Sequence, residues 1–471
     1  MSYTPTIGLE IHAELKTKSK MFCGCKNDPH EGAPNSHICP VCMAHPGTLP
    51  VPNEQAIEMV LMFGQAVGAT IAEYSEFDRK NYFYPDIPKA YQISQYAFPF
   101  LTGGQLCGVD LTRVHLEEDT ARSQHDKGDE SLVDFNRAGV PLMELVTEPV
   151  IHDAKTAGQF AKELQLLLRT LGISDANMER GEMRVEANIS VSKSVTEFGT
   201  KVEVKNLNSF KSVEGAIEYE INRQIELLEN GDKIVQETRG WDENKSKTFT
   251  QRQKETAKDY RYFPDPDIPK ISVGEYMPFS KTILAEKMPD LPNNKRVNYK
   301  NLGLTSDTIE TVIADRELDT FMSKVVSSGD VNQSVVRLAG NYLTTDVSAL
   351  VSTKERVLSE LKPDHFVELM QMLSENKISS RVAKDLLPDM FGSGKMPSEL
   401  AKERNLLQLS DAGSLEPLIK EIIAENQTVV EEYKSGKDVA IKFLIGQAMK
   451  KTKGAANPIL LEELLVKSII E

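Results

Sequence analysis

The chain has 471 residues, 40% of them apolar and 27% charged, a balance that excludes a disordered or membrane-embedded chain and calls for two or three cores rather than one. A formal net charge of −15 argues against a protein that coats nucleic acid through bulk positive charge, though a local basic patch can still meet RNA phosphates. No apolar run of about 18 residues occurs, and Met1-Ser2-Tyr3-Thr4-Pro5 lacks the basic and apolar regions of an export signal, so no membrane span is expected and the expected location is the cytoplasm.

The first element is a strand. Ile7, Leu9, Ile11, Ala13 and Leu15 alternate with Glu10, His12 and Glu14, which puts one acid–imidazole pair, Glu10 and His12, on a single polar face. Next come Cys23-Gly24-Cys25 and Cys39-Pro40-Val41-Cys42, four of the five cysteines in one short stretch. A CxC and a CxxC on tight turns supply four thiolates to one tetrahedral zinc, and a closed four-ligand shell makes such a zinc structural. His30, His37 and His45 are alternative ligands, and four reduced thiols without metal are the bland alternative. Cys107, standing alone, is expected to be a small buried hydrophobe.

Two loops share a Tyr/Phe-Pro-Asp core: Phe77-Asp78-Arg79-Lys80-Asn81-Tyr82-Phe83-Tyr84-Pro85-Asp86, and Asp259 to Asp267. Basic groups between aromatics can hold phosphates while rings stack on bases, although a rigid Pro-turn packed by its own rings has the same composition. Acids follow in groups: His115-Leu116-Glu117-Glu118-Asp119, Met143-Glu144, Glu148, Glu179, Glu182 and Glu186. Carboxylates with an imidazole suit a hard ion such as Mg²⁺ that also carries nucleotide phosphates, whereas any single Glu here reads as an ordinary solvated acid. Strand parity groups Glu117, not Glu118, with His115.

Helices are expected after Asp153, with a stripe of Ala157, Phe160, Ala161, Leu164, Leu168 and Leu171 ending at Gly172, and from Val213 to Leu228, stopped by Gly231. Between them Arg184–Val191 and Lys201–Lys205 alternate as strands. Strands and helices mix without a βαβ rhythm, so the fold class is α+β. A Pro/Asn/Lys-rich stretch at 289–300 reads as a linker, and the texture beyond it is helical, with a second break at 391–397. Gly392-Ser393-Gly394-Lys395 lacks the framing residues of a P-loop, so a nucleotide would be held by metal and side chains. Lys434, Lys437, Lys442, Lys450, Lys451 and Lys453 have only Asp438 as an acid between them, a candidate contact for an RNA backbone or else a solvated helix face.

These segments closely resemble the B-subunit family of the aspartyl/glutamyl-tRNA amidotransferase. The match includes Ile7 to His12, the Cys23–Cys42 knuckle with Pro46-Gly47, and Phe77 to Gln95. It continues through His115 to Asp119, Val133 to Arg137, Pro141 to Glu144, Glu203 to Phe210, Asp259 to Pro269, Gly446 to Lys450 and Gly454 to Pro458. The resemblance implies a glutamine-synthetase-like cradle domain over residues 1–292 with the zinc knuckle at 23–42. An all-helical domain at 293–408 and a small helical, tRNA-binding tail at 409–471 would follow.

It also implies an activity. ATP phosphorylates the side-chain carboxylate of glutamate on tRNA(Gln) or aspartate on tRNA(Asn). Ammonia from a glutamine-hydrolysing amidase, the A subunit, displaces the phosphate, and a small C subunit would clamp the pair. The family's Mg²⁺ ligands fall on His12, Glu118 and Glu144, with Glu10 in the same shell, and Arg79, Lys80 and Asn81 become candidates for substrate or tunnel contacts. Choosing Glu118 over Glu117 rests on the resemblance. The cysteines are absent from some relatives, which keeps zinc out of the chemistry, and Thr250-Gln251-Arg252 lacks the Met that commonly precedes this Arg. The alternative is a non-catalytic tRNA-binding scaffold of the same complex. No Ser/Lys amidase signature occurs, so the chain alone is not expected to hydrolyse glutamine.

Overall fold

The computed structural model describes residues 3–127, 130–194, 197–253, 260–329, 331–353, 356–404, 406, 412–452, 456 and 458–470. Met1, Ser2, Asp259, Lys453, Gly454, Ala455 and Asn457, which figure in the patterns above, lie outside the described residues. The chain divides into two compact units, Met1–Pro292 and Asn293–Glu471.

The first unit is built on a ten-stranded sheet. Its strands relevant here are β1 (Thr4–Glu14), β4 (Val109–Glu118), β5 (Pro141–Thr147), β6 (Met183–Ser192), β7 (Val202–Leu207), β8 (Glu237–Asp242) and β9 (Lys247–Gln253), and a separate small sheet contains β2 (Asp78–Asn81) and β3 (Tyr91–Ser94). The order across the large sheet is β9-β8-β7-β6-β1-β5-β4, followed by the short strands Leu101–Thr102 and Thr70–Ile71. Pairing is antiparallel except between β7 and β8.

One face of that sheet is covered by helices α1 (Glu54–Ala66), α2 (Ala154–Leu171) and α3 (Phe210–Glu229). The alternation in β1 sends Ile7, Leu9, Ile11, Ala13 and Leu15 into the core with Phe160, Leu164 and Leu168 of α2 and Val213 and Ile217 of α3. Burying a Leu or Phe side chain contributes roughly 1.5–3 kcal/mol, so this face fixes the register; a one-residue slip would turn Glu10 and His12 into the core. Asp153 caps α2 by accepting a hydrogen bond from Thr156 N (2.8 Å), and Gly172 ends it at φ 70°. Ser209 caps α3 in the same way through Ser212 N.

Two expectations are corrected. The stretch at 289–300 is not an extended linker: Pro292–Asn301 is helical, with Pro at the first position where its missing N–H is harmless. Lys295 and Tyr299 both reach Asp319, and Arg296 grips Glu310 with two hydrogen bonds, so the helix is anchored in the second unit. Cys107 is exposed rather than buried. It occupies, with Gly108, the two-residue turn between Leu106 and Val109, at φ 51° and 76°, where hairpin geometry outweighs the thiol's preference for the interior.

The second unit is helical throughout its described residues. Helices within 306–403 pack around residues such as Val312, Phe321, Met322, Val336, Phe366 and Leu386. The helices Ala412–Glu425, Gln427–Lys434, Val439–Lys451 and Pro458–Ile470 gather around their own cluster of Leu415, Ile419, Ile422, Leu444, Leu461 and Leu465. Among the described residues no helix is long and apolar enough to cross a membrane.

Candidate active site and metal centres

The polar face of the large sheet carries the site. Antiparallel pairing sets His12 opposite Glu144 on one side and opposite Arg184 on the other, and sets Glu144 opposite His115. A row Arg184–His12–Glu144–His115 therefore crosses four strands, because directly paired residues share a face. In the next row Glu10 faces Glu186.

Glu144 is the centre of this arrangement. Its Oε2 lies 3.2 Å from His12 Nε2 and 3.5 Å from His115 Nε2. Glu117 approaches from β4, with Oε1 at 3.7 Å from His12 Nε2 and Oε2 accepting from Ser94 Oγ at 3.0 Å. Three sets of donor atoms lie mutually within 4.8 Å: Glu10–His12–Glu144, His115–Glu117–Glu144 and the all-carboxylate Glu10–Glu186–Glu203. Oxygen-rich sets with one imidazole fit a hard divalent ion that keeps open positions for phosphate oxygens, so these residues can hold Mg²⁺ or Mn²⁺.

Electrostatics show how much charge is compressed here. Burial opposes the charged form of His12, but the hydrogen bond and negative charge of Glu144, with Glu117 and Glu186, outweigh it and push the imidazolium up to about 9. Burial, reinforced by Glu144, raises the Glu10 carboxyl above its ordinary range. Glu144 goes the other way: burial opposes ionisation, but His115 and His12 hold its carboxyl well below the usual value. The His12 imidazolium supplies compensating positive charge within the group. The side chain of His115 was not among the expected site residues, although its parity with Glu117 on β4 was the signal that could have found it.

Glu118 sits elsewhere. Its Oε2 pairs with Lys89 Nζ at 2.8 Å and its Oε1 accepts from Ile93 N at 3.0 Å, at the junction with β3. The geometry thus brings together Glu10, His12 and Glu144 of the expected ligands and adds Glu117 and His115, while Glu118 belongs to a separate pair. The reason is the two-residue period of β4, which turns Arg113, His115 and Glu117 to one face and Glu118 away from it.

Arg79, Lys80 and Asn81 lie on β2 at the rim, and their roles separate. Arg79 binds Asp265 (2.8 Å) and Asp267 (3.0 Å) and stacks 4.4 Å over Tyr91. Asn81 donates to the carbonyls of Tyr260 (3.2 Å) and Arg261 (2.7 Å). Both residues therefore tie one Tyr/Phe-Pro-Asp loop to the other, helped by pairing of Arg79 with Phe263 and by stacking of Tyr96 on Tyr262 at 4.6 Å. Lys80 is different: its ammonium lies 5.4 Å over the Tyr260 ring, and although burial opposes its charge, the nearby negative charge of Glu117 and Glu144 raises it above the ordinary lysine value.

The four cysteines converge as their spacing predicts. One Sγ from each of Cys23, Cys25, Cys39 and Cys42 lies within 4.8 Å of all the others. Sulfur–metal bonds of about 2.3 Å put tetrahedral thiolates roughly 3.8 Å apart, so the set fits one zinc with no open position. Cys42 is the most acidic of them, drawn down to about 4 by the Cys23 thiol, the Cys39 amide and the Lys20 ammonium, while Cys25 is raised to about 11, chiefly by burial. The fully buried Lys20 stands 3.9 Å from Cys42 Sγ and donates to Phe135 O at 3.2 Å.

The lysines of the carboxy-terminal helices are less isolated than their sequence neighbours imply. Lys451 pairs with Glu421 (2.9 Å) and Glu425 (2.7 Å), because packing against Ala412–Glu425 imports acids from another helix, while Lys437 pairs locally with Glu432 (3.6 Å).

The comparisons with known proteins accord with this geometry. A family model described as the GatB/GatE catalytic domain matches residues 5–278, and one described as the GatB domain matches residues 320–469. The chain is 43% identical over 477 residues to the B subunit of the aspartyl/glutamyl-tRNA(Asn/Gln) amidotransferase of Caldanaerobacter subterraneus subsp. tengcongensis, covering 99% of each chain. It is 42% identical over 481 residues to the protein of the same name from a Thermoanaerobacter species, covering 100% of both, and 41% identical to that of Crocosphaera subtropica, covering 99% of this chain and 97% of the relative. Matched over its length in both sheet-bearing and helical parts, the chain belongs to the B-subunit family of the aspartyl/glutamyl-tRNA(Asn/Gln) amidotransferases.

Proposed function

We propose that this chain is the ATP-dependent amidating subunit of a tRNA-dependent amidotransferase, a carbon–nitrogen ligase that converts glutamate on tRNA(Gln), aspartate on tRNA(Asn), or both, to the amide. The observation that carries the reading is the convergence of Glu10, His12 and Glu144 on one sheet face. A carboxylate is a poor electrophile; transfer of a phosphoryl group to its oxygen gives an acyl phosphate and ADP. Ammonia then attacks the carbonyl carbon, the C–O bond to phosphate breaks, inorganic phosphate leaves, and the nitrogen loses a proton.

Bound Mg²⁺ would supply neutralisation of the nucleotide phosphates, and Glu10, His12, Glu144 and Glu117 are the residues that would hold it. Lys80 provides a fixed positive charge next to the acids, suited to the charge that develops on the transferring group. Arg79 and Asn81 stiffen the rim against which the aminoacyl end docks. Cys23, Cys25, Cys39 and Cys42 would hold a structural Zn²⁺ that fixes the knuckle beside the sheet. The sheet-bearing part acts as a glutamine-synthetase-like cradle, residues 293–408 as a helical domain, and 409–471 as a tail that meets the tRNA backbone through Lys434, Lys442 and Lys450. Ammonia is delivered by an amidase, the A subunit, held in place by a small C subunit, in a cytoplasmic complex.

The test is conversion of Glu-tRNA(Gln) and Asp-tRNA(Asn) by the purified full-length chain with ATP, Mg²⁺ and ammonium chloride, since free ammonia bypasses the amidase. Amide and ADP formed in equal amounts support the reading. Binding of tRNA with no ATP turnover would favour the non-catalytic scaffold instead.

A further inference from the structure

Lys20 is the one wholly buried lysine among the described residues, and it belongs neither to the acidic cluster nor to the rim. It sits in the turn that presents Cys23 and Cys25: its amide donates to Cys25 O at 3.0 Å, and Ser19 bridges to Lys26 across the same turn. Its carbonyl accepts from the Asn53 side-chain amide at 3.2 Å, which fixes the backbone while the side chain runs inward. The ammonium ends between two partners, Cys42 Sγ at 3.9 Å and Phe135 O at 3.2 Å. Gly139, at φ 88°, leaves room for the stem, since a side chain there would meet Lys20 Cδ at 3.5 Å and Cys42 Cβ at 3.6 Å.

An ammonium taken out of water needs a counter-charge, because a neutral hydrogen bond does not offset its desolvation. Among the described residues no carboxylate pairs with Lys20; Glu118, which also flanks Gly139, is already taken by Lys89 at 2.8 Å. The group that Lys20 does meet is sulfur. Cys42 is the buried member of the four cysteines, and its Sγ accepts a further N–H from Cys39 at 3.2 Å. Four thiolates around one dication keep a net negative charge, and a shell closed to other ligands must have that charge met from outside it. The bond to Phe135 O ties the same ammonium to the turn at 135–139 that leads into β5, the strand of Glu144.

We infer that Lys20 is a positioning residue of the four-cysteine centre, whose ammonium offsets the negative charge of the metal–thiolate set at Cys42 and fixes that sulfur against the turn before β5. The inference rests on the proposed structural zinc and deepens it. Lys20 touches no metal; it acts through Cys42. The zinc knuckle is thereby clamped to the sheet by charge at its buried corner.

The test uses the full-length chain loaded with Zn²⁺, and with Co²⁺ as a spectroscopic substitute. Lys20→Met removes the charge and the bond to Phe135 O, whereas Lys20→Gln removes the charge and keeps an N–H donor on the stem. Both variants are expected to bind Zn²⁺ at least about tenfold more weakly in competition with a chelator. A nearby cation lowers the energy of thiolate electrons, so the thiolate-to-Co²⁺ absorption band is expected to move to longer wavelength at unchanged intensity. Packing or the Phe135 bond alone would not move that band. Should Lys20→Met fail to fold, Lys20→Gln carries both measurements. Wild-type zinc affinity in the variants overturns the role of Lys20 and leaves the zinc centre standing. Weaker zinc with an unshifted band overturns it in favour of packing. Failure of the wild-type chain to take up one metal per chain overturns the zinc centre and the inference together.

Discussion

His12 and Glu144 lie directly opposite each other in the antiparallel register of β1 and β5, with Nε2 of the imidazole 3.2 Å from Oε2 of the carboxylate. The same oxygen is 3.5 Å from His115 Nε2, so one carboxylate is shared between two imidazoles from two different strands. Such sharing concentrates ligand capacity at a single point on the sheet, and it makes Glu144 the residue whose loss should matter most.

Glu144→Ala and His12→Ala are expected to lower ammonia-dependent amide formation by at least about 100-fold, the range seen when one fixed electrostatic group is removed from a reacting centre. Affinity for tRNA should stay within twofold. Single-turnover amidation assays beside filter binding would read both quantities, and parallel loss of tRNA binding would count against a catalytic role.

Glu117 and Glu118 should separate cleanly. Glu117→Gln is expected to weaken Mn²⁺ binding, followed by electron paramagnetic resonance, about tenfold or more. Glu118→Gln should leave Mn²⁺ binding nearly unchanged and destabilise the first unit by about 1–3 kcal/mol, because the charged partner of Lys89 and the acceptor for Ile93 N is altered. The opposite pattern would restore Glu118 as the ligand.

Zinc should be structural. Cys25→Ser is expected to abolish stoichiometric zinc in mass spectrometry and to lower the melting temperature by about 4 °C, ~1–2 kcal/mol for a unit of this size. Chelation of the wild type should reproduce that shift, and chelation of the variant should add nothing.

Asp153 offers a pH test away from the site. The hydrogen bonds of the Thr156 hydroxyl and amide hold its carboxyl below the ordinary 3.8. A depressed folded value means that its contribution is fully present above pH 3.8 and is lost as pH falls through the folded value. Asp153→Ala should therefore cost about 1 kcal/mol at neutral pH in urea denaturation. The difference between wild type and Asp153→Asn should shrink in acid, and a pH-independent difference would refute the assignment.

The tail should contribute through phosphate contacts. Lys434→Ala, Lys442→Ala and Lys450→Ala combined are expected to weaken tRNA binding about tenfold and to flatten its salt dependence, roughly one unit of slope per lost contact. Lys451→Ala should do less, since Glu421 and Glu425 already occupy its ammonium.

Local period and spacing settle a good part of this molecule before any contact between distant residues is known. The alternation in β1 is enough to put Glu10 and His12 on a polar face, since a strand has only two faces and the apolar residues take one. The α2 and α3 stripes, the Asp153 cap, the Gly172 stop and the four-cysteine convergence follow from the same short-range rules. Which distant acids join His12 is a tertiary outcome. Pairing of β1 with both β5 and β6 brings residues more than a hundred positions apart into one row, and no periodicity within a strand encodes its partner's register. The same long-range packing removes Glu118 to Lys89, sets Arg184 beside His12, and gives Lys451 its acids from another helix. Each of those outcomes depends on a neighbour supplied by the fold, and charge pairing acts through space, not along the chain.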